Sequence, residues 1–483
     1  MKTASSDLYD LIHSLSKSEK RYIQLHSAAE TLDYMELWKI LLKEENYNEA
    51  RLKKEYADAN FMKNFAMSKQ YLFERILLLL DRFRKQTDAD ALTEKGRLVT
   101  ILWEKGFKKK AQSRLKKVLK KAKEGELFEV QLSLLEIKKL FPETDYKETA
   151  EEVKECLGKL QNINEYWEIS RAIYEKQQEL RKQRSYIKEQ ELSELFNTPK
   201  LFNSSFAKTF RSRVYYYHAR TTYFFATGQK ESAYNGNRIF LKLLEDHPKQ
   251  LIMMPERYLS ILNNLLIDSL ALQKEEEFRE GLRKLRTLPS QKAFKSIKDI
   301  DARVFRQGML LEINSFLGKK EYDEAEKLIL PLQSGLKKYG EKIAPIHLTI
   351  LKYLSTYLLF LNERYEEALD GINEILNKEN TGEIFQFALI LELLTHFSLK
   401  NYDLVESLLV SVKRRLQNRR ELYETEILLF KFIRSYLNAA AWGIQKDLVT
   451  KFASEIVDLK TKPSQKRFFN FIDLEKWIET LLK

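Results

Sequence analysis

Between Lys95 and Glu124 the chain carries twelve Lys and Arg against only Glu104 and Glu124, a local charge of +10 in a protein whose total is +13. The basicity is therefore a patch and not a property of the whole chain. At about 100° per residue, Phe107, Ala111, Leu115, Val118, Leu119 and Ala122 gather on one side of a helix. Lys109, Lys110, Arg114, Lys116, Lys117, Lys120, Lys121 and Lys123 spread over the other. Like charges four apart, such as Lys116 and Lys120, destabilise a helix, so nearby acids or an anionic partner must offset them. Two readings compete: a solvated lysine face, or a surface for RNA, DNA or an acidic protein. Six of these lysines on duplex phosphates would give a slope of log affinity against log salt of about −5.

A second region, Leu195–Lys230, contains no acid. Its bases Lys200, Lys208, Arg211, Arg213, Arg220 and Lys230 are interleaved with Tyr215, Tyr216, Tyr217, Tyr223, Phe224 and Phe225. Arginine beside aromatics can bind single-stranded nucleic acid by stacking and phosphate pairing. Three consecutive tyrosines spread over about 200° of a helix, so at least one must be core, and packing is the simpler reading. A third cluster, Lys413, Arg414, Arg415, Arg419 and Arg420, falls at a helix end, where the C-terminal dipole favours cations.

No stretch supplies catalytic machinery. His13, His26, His218, His247, His347 and His396 are isolated, and none forms a local metal-binding spacing. The phosphate-binding and nucleophile-elbow glycine motifs are absent. Cys156 is the sole cysteine, which excludes an internal disulfide and a multi-cysteine metal site. Glu151, Glu152 and Glu155 beside it would not activate a thiol. The expectation is a protein with no cofactor and no enzymatic activity. Met67–Leu77 (MSKQYLFERIL) can be read as a helix-turn-helix presenting Lys69, Gln70 and Glu74 to base edges. Residues 1–86 hold 15 bases and 13 acids, a balance that suits a packing helix better than a DNA-binding module.

These residues need scaffolding, and the composition indicates helix. Gly (14) and Pro (8) are scarce among 483 residues, while 32% charged and 44% hydrophobic residues fit amphipathic helices. The length exceeds one compact core, a limit that stacked helix pairs escape because each contacts only its neighbours. A pattern recurs in which an aromatic follows a turn and a small residue comes three positions later. It occurs as Tyr322 and Ala325 after Gly318, Tyr365 and Ala368, Tyr402 and Val405, and Phe278 and Gly281. Gly106, Phe107 and Ala111 repeat it one residue out of register.

This pattern resembles the tetratricopeptide repeat. The resemblance implies an all-α, right-handed α-solenoid of antiparallel helix pairs with a groove for a peptide or protein. Phe278, Tyr322, Tyr365 and Tyr402 are 44, 43 and 37 residues apart, longer than that family's period of about 34. Helix pairs are expected near 88–124, 204–247, 255–287, 298–340, 346–378, 383–417 and 420–459. Asparagine in such grooves pairs with ligand backbone, which makes adjacent Asn263 and Asn264 candidates, with Arg213 and Arg220. A structural hydrogen bond is the alternative for the asparagines. Pro255, Pro345 and Pro463 read as first-turn prolines, and Pro248 and Pro289 as falling just past helix ends. Val153, Leu160, Trp167 and Tyr174, seven apart, read as the packing stripe of a long helix in the less regular stretch 126–200.

Residues 1–86 lack the repeat and read as an N-terminal helical module, with a capping box at Ser16–Glu19 and an N-cap at Asn48. Leu11–Leu25 (LIHSLSKSEKRYIQL), Asn263–Leu270 (NNLLIDSL) and Asn401–Leu409 (NYDLVESLL) resemble an uncharacterised bacterial family of helical-repeat proteins, a resemblance that implies the fold and no activity. The expected segments are the module at 1–86, a first pair with a long helix at 87–200, a tetratricopeptide-like solenoid at 201–462 and a C-terminal capping helix at 463–483. Met1–Asp10 lacks a signal-peptide core, and the longest aliphatic run, Ile76–Leu80, falls far short of the roughly 20 residues a span requires. A cytoplasmic protein without a membrane partner is expected. The functional reading is a non-catalytic scaffold or adaptor binding a peptide or protein. The alternative is a nucleic-acid-associated regulatory protein using 107–124.

Overall fold

The computed structural model describes residues 6–27, 32–83, 88–183, 199–377, 382–439 and 442–482. Among the described residues the chain is helical, with no strand. It divides into two compact units, Met1–Asn162 and Ile163–Lys483, a coarser division than the four segments read from the sequence. The expected module boundary at 86/87 lies outside the described residues.

In the first unit, α1 (Asp7–Ser14), α2 (Lys17–His26), α3 (Leu32–Lys43), α4 (Glu49–Glu55) and α5 (Phe65–Phe83) close around Ile12, Trp38, Leu41 and Ile76. The Ser16–Glu19 capping box forms, and the Asn48 side chain accepts from the Arg51 N–H to cap α4. A second core of Val99, Ala111, Leu115, Ala122 and Leu134 joins α6 (Asp88–Glu104), α7 (Lys108–Glu124) and α8 (Phe128–Lys138). The long helix α9 (Tyr146–Gln183) follows. Its buried residues include Thr149, Cys156, Asn162, Ile163, Tyr166, Ser170 and Ile173, whereas Trp167 and Tyr174 are exposed. Tyr166 and Ile173, one position before the expected Trp167 and Tyr174, thus hold the buried face, while Val153 and Leu160 are half-buried.

The second unit begins with the end of α9, α10 (Pro199–Phe202), α11 (Phe210–Ala226), α12 (Lys230–Glu245), α13 (Pro248–Met253), α14 (Pro255–Ala271) and α15 (Glu275–Thr287). It continues through α16 (Ile300–Gly318), α17 (Tyr322–Glu326), α18 (Ile329–Tyr339), α19 (Pro345–Leu361) and α20 (Tyr365–Leu376). Then come α21 (Glu383–Ser398), α22 (Tyr402–Gln417), α23 (Glu424–Leu437), α24 (Trp442–Thr461), α25 (Lys466–Phe469) and α26 (Leu474–Leu482). Most helices from α11 to α24 pack on the next in sequence. Pro255 and Pro345 open their helices as expected. Pro248 also opens a helix, the short α13, and Pro463 opens a single 3-10 turn.

One turn geometry recurs. Gly106, Glu126, Gly228, Gln273, Lys320, Glu363 and Lys400 all take left-handed backbone, with φ between 51° and 82°. In each case the next N–H returns to the carbonyl five residues back, as Lys274 does to Ser269 and Arg364 to Leu359, at 2.8–3.1 Å. This closes each helix with a Schellman motif. Five residues past the left-handed position the following helix buries Ala111, Ala233, Phe278, Ala325, Ala368 and Val405. That register corrects two sequence readings. Gly106 and Ala111 stand in register, and Phe278 occupies the position of Ala325 and Ala368, not that of Tyr322 and Tyr365.

Eight residues past the turn, Gly236, Gly281 and Gly371 meet the preceding helix. A Cβ on Gly371 would lie 2.1 Å from Thr356 Oγ1, and one on Gly236 2.8 Å from Thr221 Cγ2. These contacts straddle their turns symmetrically, so the pairs are antiparallel.

The C-terminal segment reaches well beyond the end of the stack. Tyr322 OH donates to Asp473 at 2.5 Å, Lys320 pairs with Glu475 at 2.6 Å, and Tyr353 OH donates to the Phe471 carbonyl at 3.0 Å. The Asp473 N–H donates to Tyr357 OH at 2.6 Å, and the Trp477 indole to Ser398 at 3.0 Å. Phe471 stacks on Phe387 at 4.2 Å, and Trp477 meets Phe432 edge-on. The segment thus lies along α19, α21 and α23, the first helices of three pairs.

A non-glycine residue held left-handed costs about 1–2 kcal/mol. Gln273→Gly, Glu363→Gly and Lys400→Gly are each expected to raise stability in urea titration by up to about 1 kcal/mol, the gain reduced by glycine's greater freedom when unfolded. Gly371→Ala is expected to lower it by about 1–3 kcal/mol, since buried Thr356 has no room to move.

Candidate functional site

All eight candidate cations of α7 are exposed. Among the described residues the ion pair they make is Lys120 with Glu124, at 3.9 Å within the same helix. Glu155 is held below its ordinary carboxyl range by Lys159 first and by Lys123 to a smaller degree. Among the described residues, no ion pair joins these cations to an acid of a neighbouring helix. Met67–Leu77, by contrast, lies inside α5, with Lys69 half-buried and bound to Glu49 at 2.6 Å. Lys69 is thus committed to packing the module and not presented to a groove.

The third basic cluster splits. Arg415 and Arg419 lie over the Phe385 ring, and Arg420 pairs with buried Glu426 at 2.6 Å. Lys413 and Arg414 point elsewhere and join Lys431 and Arg434 of α23 around a groove of about 510 Å³ whose lining holds no acid. The helix dipole explains part of the cluster, while the fold brings in two cations that lie 17 to 21 residues further along the chain.

The four candidate groove residues are only partly brought together. Arg220 donates to Tyr216 OH at 3.0 Å and lies 5.2 Å from the Phe224 ring centre, which is a packing role. Tyr216, Tyr223 and Phe224 are buried, so half of the aromatic run is core. Arg213 and Asn263 are half-buried and lie outside the one cavity that Asn264 lines.

That cavity, about 710 Å³, belongs to the second unit. Tyr174 and Gln177 of α9, His218, Thr222 and Phe225 of α11, and Asn237 of α12 form part of its wall. Arg257, Ser260, Asn264 and Asp268 of α14 form the rest, and their three- and four-residue spacing puts them on one helix face.

The wall is electrostatically unusual. Arg257 is half-buried and, among the described residues, has no carboxylate partner, because adjacent Glu256 is taken by both terminal nitrogens of Arg303 at 2.5 and 2.7 Å. Burial lowers the Arg257 pKa, and the nearest ring is Tyr215. Burial first, and then the Arg257 charge, push His218 down to about 4, so it is neutral at pH 7. Its Nδ1 lies 2.7 Å from Ser170 Oγ. No carboxylate among the described residues completes this pair into a nucleophilic triad.

At the other end Asp268 is 6% exposed, and burial pushes it up to about 6 against the hydrogen bond it accepts from Asn237 Nδ2 at 2.7 Å. A carboxylate only accepts, which fixes the orientation of that amide. Asn237 is 4% exposed, and its Oδ1 is buried without a partner.

Sequence reasoning missed Arg257, His218, Asn237 and Asp268, which are spread over 51 residues and three helices. The one available signal was charge on an otherwise apolar helix face at Asp268. Cys156 is buried and donates to the Phe128 carbonyl, and burial raises its pKa. Among the described residues no group of three His, Cys, Asp or Glu could hold a metal, and no helix is long and apolar enough to cross a membrane. No family model, curated protein or solved structure matches the chain.

The two titrations in the cavity oppose each other. Asp268 binds its proton more tightly folded (about 6) than unfolded (3.8), so its stabilisation is present below pH 4 and is lost as pH rises through 6. His218 binds its proton less tightly folded (about 4) than unfolded (6.5), so stability is lost as pH falls from 6.5 through 4. Asp268→Asn is expected to exceed the wild type by roughly 2–3 kcal/mol at pH 7, with the advantage gone at pH 4. Urea midpoints at the two pH values measure this; an equal difference at both would rule it out.

Proposed function

We propose that this protein is a non-catalytic interaction scaffold or adaptor that holds a peptide or protein segment in the cavity between α9, α11 and α14. One contrast carries the reading. The first helices α19, α21 and α23 are covered by the chain's own C-terminal segment, whereas α11 and α14 leave about 710 Å³ open. Surfaces of this kind thus already hold polypeptide within the molecule. We take the second unit to wind as a right-handed, tetratricopeptide-like solenoid in a cytoplasmic protein; the antiparallel pairs and repeated Schellman turns support the solenoid. The test is a photo-crosslinking amino acid at Asn264, in cells. The expected result is an adduct with one polypeptide that disappears when Ser260→Trp fills the cavity. Equal labelling from exposed Glu276 of α15, or an adduct indifferent to Ser260→Trp, would refute the reading.

A second reading has its own support in the eight uncovered cations of α7. On it, α7 binds nucleic acid through phosphate. Anisotropy titrations with a labelled duplex are expected to give a log–log salt slope near −5 if six lysines engage. The slope should collapse when Lys116, Lys117, Lys120 and Lys121 are changed to Glu. Absence of binding at about 50 mM salt would eliminate it.

A further inference from the structure

The two ends of the cavity ask for opposite chemistry. At one end the Arg257 guanidinium faces the cavity beside neutral His218, with no carboxylate among the described residues to neutralise it. A buried cation left unpaired is costly unless an anion completes it. At the other end the protein holds acceptor capacity that its own donors leave unused. Asp268 accepts a single hydrogen bond, through one oxygen, and the buried Oδ1 of neighbouring Asn237 accepts none. Unused acceptor capacity at both residues fits an N–H-rich cation, and a cation beside Asp268 would offset the burial that opposes its charge.

The ends are set eleven residues apart on one face of α14, a rise of about 16 Å. An extended chain covers that distance in about five residues. A compact metabolite could satisfy one end but would not bridge both. The internal precedent is also a polypeptide, since Tyr322 and Lys320 bind the carboxylates of Asp473 and Glu475 on the C-terminal segment.

We propose that the cavity binds an extended peptide bearing a carboxylate and an ammonium about four residues apart, the carboxylate on Arg257 and the ammonium on Asp268 and Asn237. This assignment rests on the scaffold reading above and adds the partner's charge pattern and length. The carboxylate can come from an acidic side chain or a free C-terminus, and both belong in the test.

The experiment is calorimetric titration of the full chain with blocked pentapeptides. Acetyl-Glu-Ala-Leu-Ala-Lys-amide and its reverse, acetyl-Lys-Ala-Leu-Ala-Glu-amide, cover the two chain directions. Acetyl-Lys-Ala-Leu-Ala-Ala with a free acid end supplies the terminal carboxylate. Analogues with Gln replacing Glu or Lys are the controls. One charged peptide should bind at least ten-fold tighter than its neutral analogue. Arg257→Gln should erase the preference for Glu over Gln and keep that for Lys over Gln; Asp268→Asn should do the reverse. Each variant's retained preference certifies that it is folded. The free-acid peptide matching the best blocked one assigns the carboxylate to a C-terminus, and its failing to match assigns it to a side chain. Equal binding of charged and neutral peptides, or preferences that neither variant moves, overturns the proposal. A Ser260→Trp-sensitive adduct at Asn264 would then still stand for the scaffold reading, which is judged by the crosslinking test alone.

Discussion

A chain that must fold back on itself every twenty residues or so depends on how it stops one helix and starts the next. Here the stop is a left-handed residue whose successor returns its N–H five positions, and the start is a buried residue five positions on, alanine at four of the seven turns. The first sets the direction of reversal and the second sets the separation of the two helices. Where glycine stands eight positions on, as at Gly236 and Gly371, the helices approach until a methyl group would collide with threonine. Every pair inherits its geometry from these few residues, and packing by Leu, Phe and Tyr follows from that spacing. Only Gly106 and Gly228 meet the left-handed demand with glycine. Glu126, Gln273, Lys320, Glu363 and Lys400 meet it with side chains that tolerate it poorly, so tertiary packing must hold those turns.

The candidate site follows from the same spacing. Close pairing of α11 with α12 through Thr221 and Gly236 brings Asn237 to the wall beside Asp268 of the next pair. Among the described residues, the polar groups there are buried by the packing of helices. Their arrangement is therefore as rigid as the pairs themselves, which favours recognition with little reorganisation on binding.

Much of the fold was legible in the sequence, because helix periodicity, capping residues such as Ser16 and Asn48, and first-turn prolines at 255 and 345 are local signals. What was misread depended on neighbours. Phe278 looked like Tyr322 by residue type, yet the turn at Gln273 gives it the position of an alanine. Trp167 looked like core by size, yet Tyr166 is the buried ring. In the site, Asn264 was found because an amide in an apolar helix is conspicuous. Arg257 escaped because it follows Glu256 and reads as half of an ordinary pair; only the structure gives that glutamate to Arg303. The exposure of α7 was foreseeable from composition, whereas the joining of Lys413 and Arg414 to Lys431 and Arg434 needed two helices to be docked.

The C-terminal segment has a consequence for how the protein is made. Tyr353, Tyr357 and Phe387 receive their final partners from residues 471 and 473, more than eighty positions later. During synthesis these rings leave the ribosome long before anything can cover them, whereas the earlier pairs can close as they emerge. The second half of this unit is thus completed only once residues 463–482 have been made, and a product cut short before Pro463 would present an aromatic surface to chaperones and proteases.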